Sequence, residues 1–234
     1  MPKAMSEAPA VDHVEAWLFD LDNTLYPARC NLFAEVDVRM TAFVSHYLGL
    51  DRVAAKAHQK QLFREYGSTM RGMMLQHGMD PAPFLHYVHD IDLSPVPDGT
   101  ALNAALARLP GRKLVFTNGS VPHAERILDR LGISGHFEAI FDIVAADYLP
   151  KPAPEPYNTL VKRYGITPQR TAMVEDIARN LVPAAAMGMT TVWIPGHQDW
   201  AAYGVDETFI DQHIDHVAED LTAFLGGLTN TRGT

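Results

Sequence analysis

Hydrophobic residues change period twice along this chain. Val14, Trp17, Leu18 and Phe19 form a short apolar run bounded by polar residues, too short for a helix, which predicts a buried strand. From residue 32 the spacing turns helical. Phe33, Val36, Val38, Met40, Phe43, Val44, Tyr47 and Leu48 fit an amphipathic helix that stops at Gly49. Helical segments follow at about 52–66 and 69–77, and another starts near Pro81 and runs through Phe84, Tyr87 and Val88. Asp92-Leu93-Ser94-Pro95-Val96-Pro97-Asp98-Gly99 reads as a linker. Beyond it strands and helices alternate. Strands are expected at 113–117, 139–144, 171–174 and 190–194, with helices at 102–109, 124–131, 156–164, 180–187 and 217–225.

Short apolar strands alternating with helices predict an α/β protein with a parallel sheet covered on both faces. The expected core comprises residues 11–31 and 96–225, with a helical domain, 32–95, inserted directly after the first strand. Residues 1–10 and 226–234 are expected to be flexible termini. In parallel sheets ligands collect at the carboxyl ends of the strands, so the residues there matter most.

Three expected strands end in polar groups. The first runs into Asp20 and Asp22, which an extended backbone projects to one side. Adjacent anions repel unless a cation lies between them, and Mg²⁺ accepts a few carboxylates plus phosphate oxygens. The same pair would also fit an exposed acidic turn. The second strand ends in Thr117-Asn118-Gly119-Ser120 and the third in Glu175-Asp176, with Lys151-Pro152 between them in a loop. Each alone reads as turn chemistry, a helix cap or a solvated lysine. Four such groups in order near strand ends point to a phosphate site.

Composition narrows the partners. A net charge of −9 argues against a nucleic acid polymer as ligand, though a metal and local cations leave a small anionic substrate open. Cys30 is the only cysteine, so no internal disulfide forms, which fits the cytoplasm. No apolar run suits a signal peptide or a membrane span. His77, His86 and His89 lack a metal pattern and read as packed or solvated histidines.

Asp20-Leu21-Asp22-Asn23-Thr24-Leu25, Thr117-Asn118, Lys151-Pro152 and Glu175-Asp176 together resemble the motifs of the haloacid dehalogenase (HAD) superfamily of phosphatases, across residues 14–194. The resemblance implies a Rossmann-like core with the insertion as a C1-type cap that closes over the site. It implies Asp20 as nucleophile and Asp22 as general acid–base, with Thr117 and the backbone of Asn118 or Gly119 holding phosphate oxygens. Lys151 would balance charge. Mg²⁺ would sit on Asp20, the Asp22 carbonyl and Asp176, with Glu175 either a ligand through water or a partner of Lys151. Glu-Asp stands where many relatives carry Asp-Asp. Asp22 argues against dehalogenation, because a halide leaves without a proton.

Phe63-Arg64-Glu65-Tyr66-Gly67-Ser68-Thr69-Met70-Arg71-Gly72 is similar to a segment of pyrimidine 5′-nucleotidase-type members. That likeness implies nucleoside 5′-monophosphates as substrates, with Tyr26 and Tyr66 stacking on a base and Arg71 contacting substrate. Alternatives are a sugar-phosphate or phosphoglycolate phosphatase and a β-phosphoglucomutase-like mutase. A different class would be a non-catalytic phosphate-binding regulator. A small phosphate ester is the expected partner, and the chain is expected to be a monomer or homodimer.

Overall fold

A computed structural model of the 234-residue chain describes residues 11–196 and 204–230. The expectation of flexibility at 1–10 and 231–234 therefore lies outside the described residues. Among these, six parallel strands form one sheet in the order β3-β2-β1-β4-β5-β6. They are β1 (Ala16–Phe19), β2 (Arg112–Phe116), β3 (Ala139–Phe141), β4 (Thr171–Glu175), β5 (Thr190–Trp193) and β6 (His216–Val217). The first strand is thus central. Phe19 pairs with Val115 on one side and Val174 on the other, so β1, β2 and β4 end level with one another. The strand order reverses direction between β1 and β4, the place where parallel sheets take ligands at the carboxyl ends of their strands.

Alternate residues of β1 face opposite layers, as the pleat requires. Trp17 and Phe19 join a core with Leu106 of helix α5 (Thr100–Arg108), Ile127 of α6 (Val121–Leu131) and Leu225 of α10 (Leu221–Asn230). Ala16 and Leu18 face Leu160 of α7 (Pro154–Tyr164) and Ala184 of α8 (Val182–Ala186). Both faces are covered, so the strands are apolar along most of their buried length, with Arg112 and Lys113 at the outer start of β2 and threonines in β4 and β5.

Between β1 and the linker lie α1 (Leu32–Leu48), α2 (Arg52–Tyr66), α3 (Thr69–His77) and α4 (Pro81–His89). Their boundaries follow from local chemistry. Asp51 accepts hydrogen bonds from the amides of Val53 and Ala54, Ser68 from Arg71 and Asp80 from Ala82. Gly49, Gly67 and Gly78 end the first three helices in left-handed conformation. Val36, Leu62, Met73 and Phe84 are buried together.

Three differences from the sequence reading have physical causes. Residues 226–230 belong to α10 rather than to a loose tail. Leu221, Leu225 and Leu228 make a buried stripe that carries Gly226 and Gly227 within the helix. Strand β6 has only two residues, and α9 (Glu207–His213) precedes it; neither has enough periodic sequence to be foreseen. Strand β3 ends at Phe141, and residues 143–148 turn instead. No helix of the described residues is long and apolar enough to cross a membrane.

Helices α2 and α3 cross where Gly72 faces Leu62. A Cβ at Gly72 would lie 2.7 Å from Leu62 Cβ and 2.8 Å from its Cδ2. Alanine gains about 1 kcal/mol of helix propensity. Overpacking costs about 1–3 kcal/mol. Gly72→Ala is therefore expected to lower the urea midpoint; a raised midpoint would show that the two helices separate freely.

Candidate active site

Lys151 is the hub. It sits in the loop before α7, and Asn118 at the end of β2 holds that loop: its Oδ1 accepts from the Lys151 amide at 2.9 Å. The Lys151 ammonium donates to Asp20 Oδ1 at 2.7 Å, Glu175 Oε2 at 2.6 Å and the Phe116 carbonyl at 2.8 Å. All three of its hydrogens are used. Burial would lower its proton affinity, but Asp20 and Glu175 raise it above the ordinary lysine value.

Asp20 lies at the tip of β1 and is buried. Thr24 donates to its second oxygen at 3.1 Å. Burial, then the Glu175 charge, pushes its carboxyl up to about 7 against the opposing pull of Lys151. Asn23, with φ of 64°, turns the chain just past Asp22. Asparagine tolerates that left-handed conformation. The turn brings both the Thr24 hydroxyl and the Tyr26 ring back toward the carboxylates.

Asp22 is set differently. Its side chain keeps 27% of its surface exposed, whereas those of Asp20 and Glu175 are nearly closed off. Tyr26 donates to its Oδ1 at 2.6 Å, and His123 Nε2 lies 2.8 Å from the same oxygen. A carboxylate oxygen only accepts, so that nitrogen is assigned the hydrogen. Burial would raise the Asp22 pKa, but the His123 charge and the hydrogen bonds from His123 and Tyr26 hold it at about 2.

Glu175 and Asp176 follow at the tip of β4. Both Glu175 oxygens are engaged, one by Lys151 and the other by the Ile177 amide at 3.2 Å. Asp176 is oriented through its backbone, whose carbonyl accepts from Trp193 Nε1 at 2.8 Å. Burial, then the Glu175 and Asp20 charges, raises the Asp176 pKa well above the carboxylate range. Asp20, Glu175 and Asp176 each offer an oxygen within 4.8 Å of the others. Three carboxylates against one ammonium would leave an anionic excess if all were ionised, which helps hold the Asp20 and Asp176 pKa values up. Asn23 donates to Asp176 through Nδ2 at 3.4 Å, and its buried amide oxygen has no hydrogen-bond partner among the described residues. An all-oxygen donor set with surplus negative charge fits a hard divalent cation.

Thr117, at the end of β2, accepts from the Gly119 amide at 2.8 Å, which leaves its hydroxyl hydrogen free to donate. A Cβ at Gly119 would approach both Thr117 Oγ1 and His123 Cδ2 at 3.2 Å, so a side chain there would push on both by a few tenths of an ångström. Asp20, Asp22, Thr117, Lys151, Glu175 and Asp176 thus lie together at the carboxyl edge of the sheet. The side-chain oxygen of Asn118 serves the Lys151 loop.

Tyr26, expected to stack on a base, is 1% exposed and bound to Asp22, so its face is closed to a ligand. Tyr66 is half-buried against the helical core. Arg71 reaches the Tyr148 carbonyl at 3.4 Å. His123 escaped the sequence reading, and so did the stacking of His89 on it, with ring centroids 4.3 Å apart. The available signal was position: the first turn of a helix that starts at the carboxyl edge of the sheet.

Residues 14–188 match the family model described as haloacid dehalogenase-like hydrolase. The chain belongs to that family of hydrolases. A relative, Phosphate metabolism protein 8 of Saccharomyces cerevisiae, is 28% identical over 193 residues, which is 75% of this chain. The chain spans 60% of that relative's length. A phosphoglycolate phosphatase of Neisseria gonorrhoeae is 25% identical over 215 residues, covering 85% of this chain and 88% of its own. Among solved structures, an L-2-haloacid dehalogenase from Xanthobacter autotrophicus superposes with a TM-score of 0.56 at 16% identity, covering 94% of this chain and 99% of that one. That last likeness is one of fold.

The charge excess gives a test. Asp176→Asn is expected to raise the melting temperature of the chelator-treated protein, by roughly 2–4 °C for each kcal/mol of repulsion removed. Millimolar Mg²⁺ should then stabilise the native protein but not this variant. A lower melting point with chelator present would mean that the Asp176 charge is already compensated.

Proposed function

We propose that the protein is a Mg²⁺-dependent phosphomonoester hydrolase acting through an aspartyl-phosphate on Asp20, with nucleoside 5′-monophosphates as substrates. The observation that carries this reading is the fixed Asp20 carboxylate, bonded to Lys151 and Thr24, beside Asp22 with its partly open side chain. Asp20 attacks phosphorus while the ester oxygen leaves, and Asp22 gives that oxygen a proton. Water then attacks phosphorus, Asp22 takes its proton, and the Asp20 carboxylate is regenerated. At rest Asp22 is ionised; a phosphate dianion beside it adds like charge and raises its proton affinity. Thr117 donates to a non-transferring oxygen, and Lys151 offsets charge on Asp20 and the phosphoryl group. Asp20, Asp176 and the Asp22 carbonyl would hold Mg²⁺, which supplies charge neutralisation and orients the phosphoryl group.

The helical insertion acts as the lid that reads the leaving group. Its segment from Tyr66 to Arg71 abuts the lysine loop: a Cβ at Gly67 would lie 3.5 Å from Pro150, and Arg71 reaches Tyr148. This proximity supports Tyr66 and Arg71 as substrate contacts and hence the nucleotide reading. A second reading, 2-phosphoglycolate, is favoured by the Neisseria relative, which matches along most of both chains. In either case the enzyme works on a small ester in the cytoplasm, as a monomer or homodimer.

Phosphate release from a panel of nucleoside monophosphates, 2-phosphoglycolate and sugar phosphates separates the two readings. Asp20→Asn is expected to lower kcat by roughly 10⁴-fold or more. Turnover by that variant would remove Asp20 as nucleophile. Mg²⁺ should restore activity after chelation and Ca²⁺ should not, because its looser coordination misplaces the nucleophile. Equal rates with the two ions would remove the proposed metal role.

A further inference from the structure

Helix α6 carries His123 in its first turn, next to the candidate site. The ring is buried, and its Nδ1 has no hydrogen-bond partner among the described residues. Leaving such a group unsatisfied costs stability. Asp22 is the polar partner against which that cost is set, through Nε2 at 2.8 Å. His89, the last residue of α4, stacks on the far face with the planes 12° apart, and its Nδ1 lies 3.0 Å from Ser120 Oγ. Arg126 of α6 fixes this end of α4 by donating to the carbonyls of His89 at 2.7 Å and Ile91 at 2.8 Å. The imidazole is therefore braced from behind.

His123 and Tyr26 both act on Asp22 Oδ1. Two donors occupy both lone pairs of that oxygen. A transferable proton on Asp22 is then confined to Oδ2. This oxygen faces the phosphate loop: a methyl group on Gly119 would lie 3.6 Å from it.

We propose that His123 is a positioning residue for proton transfer by Asp22, fixing Oδ1 together with Tyr26 so that Oδ2 alone meets the leaving group. The inference rests on the phosphatase reading above. It makes a specific demand on substrate chemistry. An alkoxide leaves only with a proton, whereas p-nitrophenolate leaves as a stable anion. Loss of the positioning contact must therefore hurt alkyl phosphates selectively.

The test compares His123→Gln, His123→Asn and His123→Leu in the full-length protein. Glutamine carries its amide nitrogen to the place of Nε2, while asparagine stops a methylene short. The Asn and Leu variants are expected to lose roughly 10- to 100-fold in kcat on the best alkyl phosphate, with KM little changed, and less than about 3-fold on p-nitrophenyl phosphate. The Gln variant keeps most of the native rate on both. Melting curves show that each variant is folded; if Leu is not, Asn carries the comparison. Equal losses on the two substrates, or Gln no better than Asn, overturn the inference while native turnover sustained by Asp20 keeps the phosphatase reading. A native protein that releases phosphate from no ester overturns both.

Discussion

The buried ammonium of Lys151 is the constraint on which the site depends. Moving such a charge out of water costs several kcal/mol, and the cost is recovered only with good geometry and full hydrogen bonding. Lys151 meets that condition through two carboxylates and the Phe116 carbonyl. These partners come from the ends of β1, β4 and β2, so the charge cluster ties together the three strands at the centre of the sheet. Sheet register and ion pairing are one requirement here. A slip of one residue in β1 would turn Asp20 away from the lysine and place Leu21 against it.

The same cluster explains the division between the two residues at the tip of β4. Glu175 spends both oxygens on Lys151 and on the Ile177 amide, which makes it a structural counter-ion. Asp176 keeps its carboxylate facing Asp20 and takes a hydrogen bond from the Asn23 amide nitrogen. Of the alternatives open for Glu175, pairing with the lysine is the one its contacts match. The longer side chain reaches the ammonium, and the shorter one stays on the side where negative charge accumulates.

Much of this was legible in the sequence because it is local. Apolar runs gave strands β1, β2, β4 and β5, and Gly49 marked the end of α1. The charged residues at the strand tips were legible because the ends of parallel strands share one edge. What escaped depends on tertiary placement. Tyr26 looks like a free aromatic until the left-handed turn at Asn23 carries it inward onto Asp22. His123 has no motif of its own, and its role appears only when α6 is docked against β1. The two-residue β6 exists because its neighbours β5 and α10 hold it, not because its residues favour a strand.

The helical insertion is joined to the core by more than its two chain crossings. Arg126 and Arg130 of α6 together accept the return of the chain, the first through the carbonyls of His89 and Ile91, the second through those of Leu93 and Ser94. Arg71 meets the core on the other side, at Tyr148, in a turn where Asp147 and Tyr148 both have positive φ. Non-glycine residues in that region cost about 1–3 kcal/mol each, so the surrounding structure must hold them there. The two attachments differ in kind. The return segment is fastened by several charge-assisted bonds. The Arg71 contact is single and long. The insertion is thus held tightly along its return segment and by a single weaker bond at the Arg71 edge, where the residues proposed to read the leaving group lie.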